Sequence, residues 1–92
     1  IAAAHAGCFS MAFAGALGRN GFDPTSVRTT ADVHLVKTDA GFRIPRIDLH
    51  TEAEVPGIDE AKFAEIAADA KANCPVSQLL KTAEITLDAK LL

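Results

Sequence analysis

Two cysteines, Cys8 and Cys74, are the residues of this 92-residue sequence whose side chains are best suited to chemistry on a small substrate. They stand 66 positions apart, which excludes a C-x-x-C motif and the spacing of a zinc knuckle. Two interpretations are open. Free cysteines often pack in a core as small hydrophobic side chains. Alternatively, one thiolate attacks a substrate and the other cysteine resolves the product into a disulfide.

The neighbouring residues predict different acidities for the two thiols. Cys74 precedes Pro75, which suits the first position of a helix, and the N-terminus of a helix favours an anion. Cys8 lies in a run of Ala, Gly and Phe, where burial raises the pKa of a thiol. The ionisable residue nearest to Cys8 in the helix is His5, and it offers little local help. A reactive Cys8 therefore requires a cation from elsewhere in the fold.

Other polar side chains are weaker candidates. His5 either hydrogen-bonds near the cysteines or packs in the core, and Ser10 is predicted to bond a backbone carbonyl of its own helix. His34 and His50 fall on polar strand faces and are predicted to be solvated. Because His5 and Cys8 lack an evident third and fourth ligand, neither a metal site nor a cofactor is predicted. A solvated surface is also predicted for the acidic residues Glu52, Glu54, Asp59 and Glu60.

Composition narrows the class of partner. The chain has 9 basic and 12 acidic residues, and its Arg residues are scattered, which argues against a nucleic-acid surface. Many of the hydrophobic residues, which make up 49% of the chain, are Ala, so the large apolar side chains are few. Burial against a second chain, or against sequence outside these 92 residues, is therefore expected. The apolar residues 1–17 are predicted to form a buried helix rather than a signal peptide or membrane span. The absence of a visible targeting signal favours the cytoplasm.

Hydrophobic periodicity predicts the elements that position the cysteines. Residues 3–18 are predicted to form a helix, and residues 26–37 and 42–55 a hairpin closed by a loop at Gly41. The apolar face of the second strand slips by one residue at Pro45-Arg46, which indicates a β-bulge; beyond it Val33 should face Ile47 and Ala31 should face Leu49.

After Pro56-Gly57, Asp59 is predicted to cap a second helix. The inner face of that helix is expected to carry Phe63, Ile66, Ala67 and Ala70, with Cys74 one turn further on. A short third helix begins at Pro75, with Val76, Leu79 and Leu80 as its apolar stripe. A final strand over 84–91 turns Ile85, Leu87, Ala89 and Leu91 inward. The predicted order is α-β-β-α-α-β.

Several segments together resemble the OsmC/Ohr family of thiol peroxidases, with the OsmC branch most similar. They are AAAHAGCFSMAFAGALGRNGF, TTADVHL, DAGF, VPGID, KANCPVSQLLK and EITLDAKL, which occur in this order, and the resemblance covers essentially all 92 residues. The resemblance implies an α+β fold, with central buried helices against an antiparallel sheet, in an intertwined homodimer. It also implies that residues 1–92 are a single OsmC-like domain lacking its N-terminal strands.

The resemblance further implies a peroxidase that reduces organic hydroperoxides and hydrogen peroxide. Cys8 would be the peroxidatic residue that becomes a sulfenic acid, and Cys74 would resolve it as a disulfide. A thiol or a lipoyl-type dithiol would then reduce the enzyme. A buried apolar pocket around Cys8, with Phe9, Met11 and Phe13 nearby, would admit an alkyl peroxide; plain core packing is the alternative for each of these three residues.

Family members carry an activating Arg and its Glu partner in a segment before this region, so the 92-residue chain by itself is expected to be poorly active. Two alternatives remain open. One is a non-catalytic OsmC-like module that dimerises or binds an apolar ligand. The other is a structural Cys8–Cys74 disulfide, which would stabilise by roughly 4 kcal/mol but which a reducing cytoplasm opposes.

Overall fold

The computed structural model describes residues 1–80 and 83–92. In chain order the elements are α1 (Ala2–Arg19), β1 (Ser26–Thr38), β2 (Gly41–Glu54), α2 (Glu60–Asn73), α3 (Pro75–Leu79) and β3 (Glu84–Leu91). The mixed α+β class and the α-β-β-α-α-β order predicted from the sequence are confirmed. Neither α1 nor any other helix within these ranges combines the length and hydropathy that a membrane crossing requires.

Helix α1 is amphipathic in its packing although its sequence is apolar almost throughout. Phe9, Phe13 and Leu17 recur every four residues and are fully buried. The helix ends where Gly21 adopts a φ of 84° and the N–H of Phe22 donates to the carbonyl of Leu17 at 2.9 Å. The prediction of a buried helix holds for the residues of α1 that face β1, α2 and α3, whereas Met11 is exposed.

Strands β1 and β2 form the predicted antiparallel hairpin. Gly41 closes its loop with a φ of 110°, a conformation that other residues adopt only at a cost. Between the pairs His34↔Arg46 and Val36↔Arg43, one residue of β1 faces two residues of β2. This is the predicted bulge, and it brings the expected pairs into register, namely Val33↔Ile47 and Ala31↔Leu49.

Strand β3 runs parallel to β2, with Ile47↔Ile85 and Leu49↔Leu87 in register. The sheet is therefore mixed, in the order β1-β2-β3. The prediction of an antiparallel sheet is confirmed for β1 and β2 and is wrong for β3. The reason is the connection: α2 and α3 carry the chain back across the sheet between β2 and β3, and such a crossover delivers a parallel strand.

The core lies between the sheet and the two long helices. Asp59 caps α2 by accepting a hydrogen bond from the N–H of Lys62 at 2.7 Å, as predicted. The rings of Phe9 and Phe63 flank that of Phe13, with centroids 5.6 and 5.3 Å away. The predicted inner face of α2 is buried, and the β3 residues expected to face inward are half-buried against the same cluster, namely Ile85, Leu87, Ala89 and Leu91.

Helix α3 differs from its prediction. Its Leu79 was expected to face inward but is 78% exposed, whereas Ser77 is buried. Cys74 and Ser77 are three positions apart and therefore share the inner side of this single turn, which turns Leu79 toward the opposite side. The inner face of α3 is consequently polar.

Candidate functional site

Two separate parts of the chain meet at the cysteine pair. Cys8 lies in α1 at the border between its buried and its exposed face, and it is half-buried. Cys74 lies at the junction of α2 and α3, where Pro75 forces an extended conformation with φ −60° and ψ 124°. The two sulfur atoms are 3.0 Å apart, and both thiols are free. The two cysteines that the family resemblance pairs therefore lie close together in the fold.

The surroundings shift the pKa values of the two thiols in opposite directions. The hydrogen bond with Cys74 and burial together raise the pKa of Cys8, against a smaller opposing contribution from the backbone of Val76. Burial also acts to raise the pKa of Cys74, but hydrogen bonds from Cys8, from the backbone and hydroxyl of Ser77 and from the backbone of Val76 outweigh it and lower that pKa. Cys74 is thus the sulfur that these surroundings favour as a thiolate.

His5 and Ser77 form a second buried contact beside the cysteines. His5 Nε2 lies 2.6 Å from Ser77 Oγ, and both side chains are buried, His5 completely. Burial lowers the pKa of His5, so the imidazole is neutral at neutral pH. Of the two readings left open for His5, the structure thus places it in a hydrogen bond near the cysteine pair.

Ser77 is a residue that the sequence interpretation missed. The signal available was its spacing: a residue three positions after Cys74 lies on the same side of a short helix. The apolar side chains around it drew the interpretation toward Val76 and Leu79 instead. Ser77 contacts His5, and its backbone and hydroxyl contribute to the lowered pKa of Cys74, so it connects the histidine to the surroundings of the thiol.

The expected apolar pocket at Cys8 is not formed by the three residues predicted for it. Phe9 and Phe13 point into the core with no exposed surface, whereas Met11 is 78% exposed. Positions 9 and 13 lie on the sheet side of α1, whereas Met11 lies three residues after Cys8 and faces outward. Of the three residues, Met11 is therefore the one whose side chain lies on the solvent side of α1.

Ser10 also differs from its prediction. Its hydroxyl donates to Thr29 Oγ1 at 2.6 Å rather than to a carbonyl of its own helix. Thr29 Oγ1 in turn lies 3.0 Å from Thr51 Oγ1, which donates to the carbonyl of Arg28 at 3.1 Å. The sheet approaches α1 closely here, so a neighbouring hydroxyl replaces the helix carbonyl as the acceptor. This network ties α1 to both strands of the hairpin.

The strand histidines lie on the solvent-facing side of the sheet, as predicted, and they pair with carboxylates there. His34 Nε2 lies 2.7 Å from Asp48 Oδ2, and His50 Nε2 lies 3.1 Å from Asp32 Oδ2. Both imidazole side chains are nearly half exposed. Within residues 1–80 and 83–92, no three His, Cys, Asp or Glu side chains converge as a metal-ligand set.

Comparison with known proteins assigns the family. The family model for OsmC-like proteins matches residues 1–90. The chain is 62% identical over 91 residues to peroxiredoxin OsmC of Escherichia coli (strain K12), a match that covers 99% of this chain and 63% of that protein. The chain therefore spans a little under two thirds of the length of the curated relative.

Solved structures share the fold at low sequence identity. An organic hydroperoxide resistance protein OsmC from Legionella pneumophila superposes with a TM-score of 0.77 at 23% identity, covering 97% of this chain and 64% of that one. An OsmC-like protein from Mycoplasma pneumoniae gives 0.86 at 18% identity, covering 98% and 67%. With the family model matched over nearly all of its length, this chain belongs to the OsmC-like protein family.

Proposed function

We propose that this protein reduces organic hydroperoxides, and also hydrogen peroxide, by a two-cysteine mechanism in which Cys8 is peroxidatic and Cys74 resolving. The observation that carries the proposal is the 3.0 Å separation of the two sulfur atoms, with Cys8 partly open to solvent and Cys74 fully buried. A peroxide from solution can meet Cys8 first. The second thiol is already in place to intercept the product.

The proposed oxidation proceeds in two balanced steps. The Cys8 thiolate attacks one peroxide oxygen; an S–O bond forms, the O–O bond breaks, and the alkoxide that leaves takes a proton to become the alcohol. Cys8 is then a sulfenic acid. The Cys74 thiolate attacks the Cys8 sulfur, an S–S bond forms, and hydroxide leaves from sulfur and is protonated to water. Both cysteines have then lost one electron each to the peroxide.

Return to the reduced state requires a thiol or a dithiol of the lipoyl type. Its two electrons convert the Cys8–Cys74 disulfide back to two thiols, and the reductant itself becomes a disulfide. The proposed reductant matches the site because the half-buried Cys8 leaves a sulfur atom within reach of a small thiol.

Activation of Cys8 requires a positive charge. The groups that set its pKa within the described part of the chain are Cys74 and the backbone of Val76, and their combined effect with burial is to raise it. A raised pKa leaves little thiolate at neutral pH. We propose that the activating cation is an Arg held by a Glu partner, as the family resemblance implies. Neither residue is among the contacts that Cys8 makes in this chain.

The same proposal includes a homodimer in the cytoplasm. Large apolar side chains are exposed at the far end of the hairpin, at Leu35, Val36 and Phe42, and on α1 at Met11. Surfaces of this kind are commonly covered by a partner. A reducing compartment would keep Cys8 and Cys74 as the thiols that the mechanism requires between turnovers.

Peroxide consumption by three matched variants tests the proposal. In the protein with its native flanking sequence, supplied with an organic hydroperoxide and a dithiol, Cys8→Ser should lose turnover. Cys74→Ser should lose dithiol-dependent turnover while its Cys8 still forms a trappable sulfenic acid. Ser10→Ala is the control, since Ser10 lies in the same helix and loses one side-chain hydrogen bond to Thr29. If Cys8→Ser retains the wild-type rate, the proposal fails and a non-catalytic OsmC-like module is favoured.

A further inference from the structure

Two side-chain contacts join α1 to the segment that begins at Cys74. In the first, His5 Nε2 lies 2.6 Å from Ser77 Oγ. In the second, the sulfur atoms of Cys8 and Cys74 lie 3.0 Å apart. Within each segment the two contacting residues are three positions apart, and this spacing places both on one side of a helix, about one turn from each other. The histidine–serine contact therefore lies beside the thiol pair and links the same two segments.

Helix α3 depends on such contacts for its position. It is five residues long, and a helix this short is unstable unless tertiary contacts hold it. Apolar packing contributes little, because Leu79 is exposed and Ser77 is the one buried residue among the five described residues of α3. Among the described residues, the hydrogen bond between Ser77 and His5 is also the one side-chain hydrogen bond that joins α3 to α1. This bond therefore sets how α3 lies on α1.

Packing alone does not explain why a histidine occupies position 5. The ring of His5 has no exposed surface, and its Nδ1 is buried without a hydrogen-bond partner among residues 1–80 and 83–92. An apolar side chain would fill this space without leaving a polar atom unsatisfied, which is unfavourable. What the imidazole adds over an apolar residue is its hydrogen bond to Ser77.

We propose that His5 and Ser77 are positioning residues whose hydrogen bond holds α3 against α1 and thereby keeps the Cys74 sulfur within attacking distance of Cys8. This role rests on the function proposed above and belongs to its resolving step. Two links between the same two segments strengthen each other, because each link, once formed, raises the effective concentration of the groups that form the other. His5 and Ser77 therefore act on the thiol pair through the placement of α3.

Loss of the hydrogen bond would change the fate of the Cys8 sulfenic acid. With α3 less firmly held, the Cys74 sulfur spends less time beside Cys8, and the sulfenic acid survives longer before the disulfide forms. A second peroxide molecule then has time to transfer one oxygen to the Cys8 sulfur and leave as the alcohol, which converts the sulfenic acid to a sulfinic acid. The hydrogen bond is thus expected to favour the disulfide over this irreversible product.

The equilibrium between the dithiol and the disulfide tests this role without a peroxide. The protein with its native flanking sequence is equilibrated with mixtures of reduced and oxidised dithiothreitol, and alkylation followed by peptide mass mapping measures the Cys8–Cys74 disulfide. The two thiols lose two electrons and two protons, which oxidised dithiothreitol takes up. Ser77→Ala and His5→Leu should each lower the equilibrium constant for disulfide formation about tenfold, which raises the reduction potential by about 30 mV.

Two controls separate positioning from a general loss of stability. Ser10→Ala removes a hydrogen bond that joins α1 to Thr29 in the sheet, and it should leave the equilibrium constant within about twofold of wild type. The double variant Ser77→Ala/His5→Leu should be no lower than either single variant, because both lose the same contact. The positioning role is refuted if Ser77→Ala stays within twofold of wild type, if Ser10→Ala lowers the constant as much, or if the two single effects add. Should His5→Leu fail to fold, the comparison of Ser77→Ala with Ser10→Ala decides the matter.

Overoxidation of Cys8 gives a second readout. With excess organic hydroperoxide, Ser77→Ala should accumulate several-fold more Cys8 sulfinic acid for each peroxide consumed than wild type or Ser10→Ala, as measured by peptide mass mapping. Equal amounts of sulfinic acid in Ser77→Ala and wild type would contradict the positioning role. If the wild type consumes no peroxide, the proposed function fails, and the dithiothreitol equilibrium still decides whether His5 and Ser77 position the thiol pair.

Discussion

The Cys8 sulfur lies 3.0 Å from the Cys74 sulfur although the two residues are 66 positions apart in the chain. Helix α1 supplies the first, and the extended residue before Pro75 supplies the second. Only Cys8 of the two is accessible to solvent, because Cys74 is fully buried. This asymmetry underlies the separate roles proposed for the two thiols, and it links each role to a feature of the local backbone.

Core packing around Phe13 is expected to dominate the stability of the α1–α2 contact. Its ring is fully buried between those of Phe9 and Phe63. Phe13→Ala should lower the free energy of unfolding in urea by about 3–5 kcal/mol, because the ring's burial is lost and a cavity remains. Met11→Ala, on the exposed side of the same helix, should change it by roughly 0.5 kcal/mol or less. Equal effects would contradict the packing described for α1.

Acid stability should depend on Asp48. Hydrogen bonds from Thr86, Arg46 and His34 hold its pKa well below the ordinary range. A carboxyl whose pKa is lowered by folding contributes stability that is complete above about pH 4 and is lost as pH falls through the lower, folded-state pKa. Asp48→Asn should therefore be less stable than wild type at pH 7, and the difference should shrink as the pH is lowered below about 4. Urea unfolding at several pH values measures this; a difference that grows toward low pH would contradict it.

The first oxidation of Cys8 in the 92-residue chain should be slow and should accelerate with pH. Its raised pKa places most of the sulfur in the thiol form at neutral pH, and below the pKa each unit of pH increases the thiolate about tenfold. Rapid-mixing measurements of peroxide loss between about pH 6 and 9 should show this slope. Fusion to the upstream segment of an OsmC relative should flatten the slope and raise the neutral rate. A pH-independent rate for the chain alone would mean that Cys8 is already ionised.

Self-association should accompany folding. The exposed apolar side chains at the hairpin end and on α1 leave a large surface to cover, and few large residues are available for an internal core. Sedimentation velocity over a range of concentrations should show a dimer, and dilution should reduce its population. A folded, concentration-independent monomer would contradict this expectation.

Local patterns predicted the elements because the information they need lies within a few residues. The alternation around Val33 and Ile47 was enough to place the bulge, and the spacing after Asp59 was enough to orient α2. Contacts between distant segments were harder. The bond of Ser10 to Thr29 depends on how closely the sheet approaches α1. The direction of β3 depends on the crossover through α2 and α3, and the hydrophobic periodicity does not predict the path of that crossover.

The site was predicted in part for the same reason. The two cysteines were identifiable from their motifs, and their immediate neighbours predicted the direction of each pKa shift. The largest hydrogen-bond contribution to each pKa, however, comes from the other cysteine. The link from His5 to Ser77 joins residues 72 positions apart, so neither residue indicates the other in the sequence. Its only local sign was the spacing between Cys74 and Ser77. Polar residues inside short helices become informative once the packing shows which side of the helix is buried.

The central claim is tested most directly by the covalent state of Cys8 and Cys74 after the reduced protein, with its native flanking sequence, is treated with one equivalent of an organic hydroperoxide. Non-reducing peptide mapping by mass spectrometry should find the two cysteine peptides joined within one chain, with stoichiometric loss of the peroxide. The Cys74→Ser variant should instead carry a sulfenic acid on Cys8 that a dimedone probe labels. Recovery of both cysteines as free thiols with the peroxide unconsumed would contradict the account, as would disulfides found only between different chains.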